Sequence, residues 1–348
     1  MRIVVCHSQV PFEHGGADVH VNELCRQLRL RGHQADVVQL PQQWEPRSEI
    51  IKNYMLWRML SLTHTYQQQP IDRVICIKYP SYAVQHPHKV TWLNHQLRQA
   101  YELYGTPYSF MGNTPEDHGI REAVRRMDTL TIAESQRVFA VSTNVATRLE
   151  RYNGIHAAVL YPPTALEDRL HCDAYGDYVL SVGRLTRIKR VDLLIEALAH
   201  VKTPVRCLIA GTGEDGRRLR RLALLKGVAT RCQFLGYVDD ESLLSLYANC
   251  LAVYYAPLDE DYGLVPVEAM KSSKAVLTAH DSGGVTEFVA DGETGYRFAP
   301  EHPQELAARL DALYEDRHSA ERVGRCAFER TSAITWDTAI ARLLEAAP

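Results

Sequence analysis

The chain has 348 residues, of which 46% are hydrophobic and 23% charged, with a formal net charge of −3. That is the make-up of a globular protein of about two domains with a sizeable core, and it excludes a global basic field that would draw the protein onto nucleic acid. The opening apolar run, residues 3–6, is too short for the core of a signal peptide or for a membrane span, so the expectation is a protein that is not exported by a cleaved leader and does not cross a bilayer.

Residues 3–6 read as a buried first strand. Gly15-Gly16 follows, then Val21, Leu24, Cys25 and Leu28 fall at helical spacing before Gly32 ends the helix. With a strand at 36–40 this predicts a β-loop-α-β unit of parallel-sheet type. The segment 47–60 has helical composition: Ile51, Tyr54, Met55 and Met59 share a face, with Lys52, Trp57 and Arg58 beside them. Further strands are predicted at 74–77, 90–93, 137–141 and 158–161. Tyr161-Pro162-Pro163 breaks the alternation, and the polar stretch up to Asp177 reads as an interdomain linker. The pattern then restarts with a strand at 178–182, a helix striped by Val191, Leu194, Ile195 and Leu198, and strands at 205–210, 232–235, 251–255 and 275–278. Leu219, within the run from Arg217 to Arg221, continues at helical spacing to Leu222 and Leu225, which marks a solvated helix face rather than a nucleic-acid patch. The eight cysteines form no C-x-x-C pair, and several lie in apolar runs. They read as small buried hydrophobes in a reducing cytosol, with no zinc site and no disulfide framework.

Five segments carry residues suited to chemistry. In Glu260 to Met270, Pro266 suits a first helical turn, so the helix is predicted to begin near Leu264 or Val265, with Gly263 turning the backbone before it. A helix N-terminus suits a diphosphate; Glu268, one turn in, can accept from ribose hydroxyls, and Glu260 can meet sugar hydroxyls. Spacing alone leaves open a capped surface helix with two unrelated acids. Gly183-Arg184-Leu185 and Lys189 follow a strand, where open α/β sheets place ligands. Together Arg184 and Lys189 can neutralise a diphosphate, or they can form a plain basic surface loop. Gly15-Gly16-Ala17-Asp18 allows close backbone approach but is not a dinucleotide fingerprint. Asn94-His95 lies at a strand end, where a histidine can be functional or structural. Asp281 to Glu287 marks another tight approach, while His86-Pro87-His88 reads as a loop and 291–295 as a simple turn.

In order, these segments resemble the retaining glycosyltransferases of family 4, over nearly the whole chain. The signature of two glutamates separated by seven residues matches Glu260 and Glu268; the Gly-Arg-Leu plus lysine pattern matches Gly183-Arg184-Leu185 and Lys189; the glycine-rich first loop matches Gly15-Gly16-Ala17-Asp18; and the strand-end histidine matches His95. Ala210-Gly211-Thr212-Gly213 and Phe234-Leu235-Gly236-Tyr237-Val238 are also similar to the family pattern. The resemblance implies an α/β fold of two Rossmann-like domains (GT-B) facing each other across a cleft. These are an acceptor-side domain over 1–165, a donor domain over 166–330, and a last helix within 331–348, near Trp336 to Ala346, that returns to the first domain. It implies that Arg184 and Lys189 bind the donor diphosphate, that Glu268 holds the ribose and Glu260 the sugar, and that Gly263, Leu264 and Val265 support sugar and phosphates. Gly15 and Gly16 would approach the diphosphate, Val238 would lie beside the base, and His95 near the reacting centre.

The activity implied is hexosyl transfer from a UDP- or GDP-sugar, with retention by front-face attack, to a glycan, lipid-linked or small-molecule acceptor in polysaccharide or glycoconjugate synthesis. No cofactor and no metal are expected, since Arg184 and Lys189 supply the charge. Alternatives on the same fold are a nucleotide-sugar epimerase, a glycoside phosphorylase, or a non-catalytic nucleotide-sugar-binding subunit. The expected setting is the cytoplasm. The 47–60 helix leaves open whether Lys52, Tyr54, Met55 and Trp57 touch the inner face of a membrane or pack on the sheet. The chain departs from the family in reading Glu-Asp-Tyr-Gly where Glu-Pro-Phe-Gly is common, and in the run Lys271-Ser272-Ser273-Lys274 where a small-residue turn with glycine is usual.

Overall fold

The computed structural model describes residues 1–12 and 15–345. Ala346, the expected end of the last helix, lies outside them. The chain divides into two compact units. One is Met1–Ala165 with the segment from Thr335 onward, and the other is Leu166–Ile334.

The first unit runs β1 (Arg2–Gln9), α1 (Gly16–Leu30), β2 (Gln34–Pro41), α2 (Ser48–Met59), β3 (Arg73–Cys76), β4 (Lys89–Leu93), α3 (Pro115–Ala133), β5 (Arg137–Ala140), α4 (Thr143–Asn153) and β6 (Ala158–Val159). Its parallel sheet has the order β2-β1-β3-β4-β5-β6. The second unit runs β7 (Tyr178–Val182), α5 (Val191–Leu198), β8 (Arg206–Ala210), α6 (Gly216–Leu225), β9 (Cys232–Gly236), α7 (Asp240–Asn249), β10 (Ala252–Tyr254), α8 (Leu264–Lys271), β11 (Val276–Ala279), β12 (Gly295–Phe298), α9 (Pro303–Glu315) and α10 (Arg317–Thr331). Its sheet is also parallel, in the order β12-β11-β10-β7-β8-β9. Strands buried on both faces are near-continuous apolar runs, and β3, β4 and β11 are buried at every position. In each sheet the chain leaves the first strand to one side and later returns on the other. The switch points lie between β1 and β3 and between β7 and β10, and the crevice outside such strand ends is where this fold class takes ligands.

The last helix, α11 (Trp336–Leu344), belongs to the first unit. Its stripe of Trp336, Ala339, Ile340 and Leu343 is buried. Trp336 Nε1 donates to the Thr164 carbonyl at 3.1 Å, and Arg73 caps the far end by donating to the Leu343 carbonyl at 2.5 Å.

Two expectations change. The inward face of α2 is Ile50, Asn53, Tyr54 and Trp57, while Met55 and Met59 are 50% and 79% exposed. Trp57 donates to Ser8 Oγ at 2.8 Å. Both aromatics are therefore core residues and neither is available to a membrane. The turn at 291–295 leads into a strand, β12, which the sequence reading did not include. All eight cysteines are free thiols, and no helix of the described residues is long and apolar enough to cross a membrane.

Asp128 of α3 is the polar hub of the first unit. It is fully buried, and its carboxyl accepts from the hydroxyls of Tyr54 (2.8 Å), Tyr82 (2.7 Å) and Tyr101 (2.7 Å). Burial pushes its pKa up to about 6, and the three hydroxyls hold it there rather than higher. A folded-state pKa above the unfolded value means that the native state holds the proton more tightly. Stability from this group is therefore present at low pH and lost as pH rises through about 6, by on the order of 3 kcal/mol. Asp128→Asn keeps an acceptor for the tyrosines but does not ionise. Urea denaturation across about pH 4 to 7 is expected to show the stability of wild type relative to the variant falling as pH rises.

Candidate active site

The second unit's site begins where β7 ends. Gly183 has φ 139°, in the range that favours glycine, and its N–H donates to the Ala210 carbonyl at 3.0 Å. The Leu185 N–H donates to the Thr212 carbonyl at 2.8 Å. The loop carrying Arg184 thus lies directly on the Gly211-Thr212-Gly213 turn after β8. A Cβ on Gly211 would stand 1.9 Å from the Gly183 oxygen, and one on Gly213 would stand 2.2 Å from the Leu185 oxygen. These glycines are needed for close backbone approach, and the approach sets the height of the basic loop.

A short 3₁₀ turn, Arg187–Lys189, then points Lys189 at the end of β10. Its ammonium donates to Tyr255 Oη at 3.0 Å and is ion-paired with Glu260; Tyr255 Oη also donates to Glu260 Oε2 at 3.3 Å. The side chains of Lys189 and Glu260 keep only 24% and 19% of their exposure, so the pair is partly desolvated. Burial alone works against the Lys189 charge. The Glu260 carboxylate and the Tyr255 oxygen outweigh it and hold the pKa above the ordinary lysine value, so Lys189 is a cation at neutral pH. Arg184, Lys189, Tyr254 and Tyr255, with Ser181 and Val182, line a small pocket partly open to solvent.

Glu260 is fixed by its backbone. Its N–H donates to the Ser282 carbonyl at 3.3 Å, and its carbonyl accepts from Gly284 N–H at 2.8 Å. This short parallel bridge ties the loop after β10 to the segment after β11. Gly263 has φ 83° and precedes α8, which starts at Leu264 as the position of Pro266 predicts. A Cβ on Gly263 would lie 2.9 Å from the Tyr255 ring. Glu268, on the second turn, is 9% exposed and its Oε2 accepts from the Tyr247 hydroxyl at 2.9 Å. Val238 is half-buried just past Gly236, ahead of α7. The second unit therefore brings Gly183, Arg184, Lys189, Glu260, Gly263, Leu264, Val265 and Glu268 to the C-terminal edge of one sheet. Sequence reasoning missed Tyr247 and Tyr255. Tyr255 closes the apolar run 251–255 and could have been noticed there; Tyr247 carried no signal.

Gly15, Gly16 and His95 lie at the C-terminal edge of the other sheet. Gly15 is the N-cap of α1 and Gly16 its first residue. Asp18 accepts from Gly15 N–H at 2.8 Å and faces His7 Nε2 at 2.9 Å. Burial opposes the Asp18 charge, but these two contacts draw its pKa below the usual value. His95 Nδ1 is 2.7 Å from the Gln96 carbonyl; a carbonyl only accepts, so Nδ1 carries the hydrogen and a neutral ring presents Nε2 as its acceptor nitrogen. His86 is structural, with Nε2 on the Ile71 carbonyl at 3.1 Å and Nδ1 accepting from His88 N–H at 3.0 Å.

Gly211→Ala is expected to lift the Arg184 loop and to cost roughly 1–3 kcal/mol or more from overpacking in urea denaturation. Gly227→Ala, at φ 71° with nothing within 4 Å of a new Cβ, should cost only the left-handed backbone term of about 1–2 kcal/mol. Equal losses would mean that close approach is not the constraint.

Two family descriptions match this chain in tandem. Glycosyltransferase Family 4 covers residues 14–168, and Glycosyl transferases group 1 covers residues 173–330. The uncharacterized glycosyltransferase MJ1607 of Methanocaldococcus jannaschii is 23% identical over 340 residues, which is 87% of this chain and 86% of that protein. The D-inositol 3-phosphate glycosyltransferase of Nocardia farcinica is 33% identical over 178 residues, 48% of this chain but only 39% of that protein. Among solved structures, Anabaena Alr3699/HepE in complex with UDP superposes with a TM-score of 0.72 at 18% identity, covering 99% of this chain and 98% of that one. Two parallel α/β units, each under its own glycosyltransferase description and with strand-end loops of the matching kind, show that the chain belongs to the GT-B glycosyltransferases.

Proposed function

We propose that the enzyme moves a hexosyl group, with retention of configuration, from a UDP- or GDP-sugar to a glycan, lipid-linked or small-molecule acceptor without a metal ion. The observation that carries this reading is the Lys189 ammonium, held as a cation between Glu260 and Tyr255 beside Arg184 at the strand-end crevice. Two cations aimed at one small space suit a dianionic leaving group.

In the reaction, the bond from the sugar's anomeric carbon to the diphosphate oxygen breaks as Arg184 and Lys189 take up the developing charge. The departing oxygen accepts the acceptor's proton, and the acceptor oxygen bonds the same face of the anomeric carbon. Glu260 orients the sugar hydroxyls. The α8 N-terminus, through Gly263, Leu264 and Val265, faces the sugar and phosphates. Glu268, steadied by Tyr247, accepts from the ribose, and Val238 lies beside the base. The HepE structure with UDP supports a uridine donor. The cysteine pattern supports a cytoplasmic setting, where a lipid-linked acceptor would be met at the inner membrane face.

A thermal-shift screen against UDP, GDP, ADP and dTDP and their sugars tests this, with and without EDTA. A ligand that binds only the native state must raise its melting temperature. One base is expected to give a shift that EDTA leaves unchanged and that Glu268→Ala abolishes. Lys189→Ala is expected to lower kcat ~10²–10³-fold, a larger effect than its weakening of nucleotide binding. No shift with any nucleotide would overturn the reading, and turnover with phosphate alone as acceptor would move it to a phosphorylase.

A further inference from the structure

Next to Lys189 stands a residue that neither the family roles nor the mechanism uses. Arg190 has φ 50° and ψ 41°, a left-handed conformation at the junction between the basic loop and α5. A non-glycine side chain in this region persists only where its surroundings hold it, and here the holding groups are specific. Its Nε donates to the Ala256 carbonyl at 2.8 Å, and one terminal nitrogen to the Pro257 carbonyl at 3.0 Å. The guanidinium grips both oxygens of Asp281 at 2.8 and 2.6 Å. Its own carbonyl accepts from the Tyr254 hydroxyl at 2.6 Å.

These contacts reach all three segments that form the site. Arg190 itself ends the loop after β7. Ala256 and Pro257 begin the loop after β10, which continues to Glu260. Asp281 begins the segment after β11, whose Ser282 and Gly284 hold the Glu260 backbone. Two main-chain bonds run in parallel: Leu258 N–H to the Ile188 carbonyl and Asp259 N–H to the Asp281 carbonyl, both near 2.9 Å. The guanidinium, 12% exposed, is the one side chain among the described residues bonded to the loops after β10 and β11 while lying adjacent in sequence to Lys189. An arginine fork can do this because its donors are fixed in one plane, which a lysine's are not.

We propose that Arg190, through Asp281, is the positioning residue that sets the separation of Lys189 from Glu260, and so the placement of the leaving group relative to the sugar. The inference rests on the donor-site reading above. Arg190 touches no reacting atom in it. A displacement on the order of 1 Å between such groups lowers the rate ~10²-fold, so the clamp acts on kcat more than on nucleotide affinity.

The test uses the full chain with Arg190→Gly, which keeps the left-handed backbone at no steric cost and removes only the fork, together with Arg190→Lys, Asp281→Ala and the double variant Arg190→Gly/Asp281→Ala. Three quantities are read: dissociation constants for UDP and GDP, steady-state kcat and KM for the sugar donor found in the screen, and amide hydrogen exchange over residues 256–262 and 281–284. The expected result has five parts. Nucleotide affinity stays within about threefold, and kcat falls ~10- to 100-fold. Arg190→Lys recovers little of it, and the double variant is no worse than the worse single one. Exchange rises in both segments and not elsewhere. Unchanged kcat in Arg190→Gly overturns the proposal whether or not exchange rises, because the contact would then be structural only. So does a double variant whose losses simply add. Absence of donor turnover in wild type is a separate result that strikes the functional reading; exchange then decides whether Arg190 holds the two loops at all, and an unchanged pattern rejects it.

Discussion

A lysine ammonium withdrawn from water needs an anion close by, and here the anion comes from 71 residues further along the chain. That pairing of Lys189 with Glu260 constrains everything around it. It requires the loops after β7 and β10 to meet, which requires those strands to be neighbours, which is what the switch in strand order provides. It also requires the β7 loop to sit low enough for a short 3₁₀ turn to deliver the ammonium, and the bare Gly211 and Gly213 beneath the loop permit that. The site is thus a consequence of topology first and of side-chain choice second. Arg184 and Lys189 would be an ordinary basic loop on a sheet with another strand order.

The two units bury carboxylates in opposite ways. Asp128 is surrounded by three neutral hydroxyls, so burial dominates and its pKa rises. Such an acid fastens α3 to Tyr54 of α2 and to Tyr82 and Tyr101, and it does so without a charge partner that a ligand could borrow. Glu260 sits instead against a cation at the edge of solvent. An ion pair there can be reorganised by an incoming anion at modest cost, because neither charge is fully dehydrated. The contrast separates a structural acid from a candidate functional one more sharply than the residue type does.

Much of this was legible in the sequence because short apolar runs and helical stripes alternate cleanly. The strand at 178–182 falls where expected, and Pro266 places the start of α8 through the tolerance of a first turn for a residue without an N–H. What was not legible depends on partners distant along the chain. The stripe on α2 was misjudged because Trp57 finds Ser8 and Tyr54 finds Asp128, and hydrogen-bonded aromatics outcompeted the methionines for the interior. Strand β12 is only four residues long and follows a turn, so no periodicity marks it. Arg190 reads as one more basic residue in a basic loop; its meaning lies in a backbone angle and in Asp281, neither of which the local sequence displays.

The departure from the family's usual Glu-Pro-Phe-Gly can now be divided between its two positions. Tyr262 is 5% exposed and meets the Phe288 ring edge-on, with centroids 5.6 Å apart at 77°. The aromatic body therefore fills a core position, as a phenylalanine would, and the substitution there concerns packing. Lys271-Ser272-Ser273-Lys274 divides in the same way. Ser273 takes the left-handed φ of 53°, its carbonyl accepts from the Tyr175 hydroxyl at 2.8 Å, and the buried Lys274 reaches the Ala174 carbonyl at 2.6 Å, so this turn is part of the scaffold beneath the 172–177 segment. Of the positions that differ from the family pattern, only Asp261 is both ionisable and partly exposed next to Glu260. Asp261 is therefore the departure whose carboxyl stands beside Glu260 in the candidate site, while Tyr262 and the 271–274 turn belong to packing.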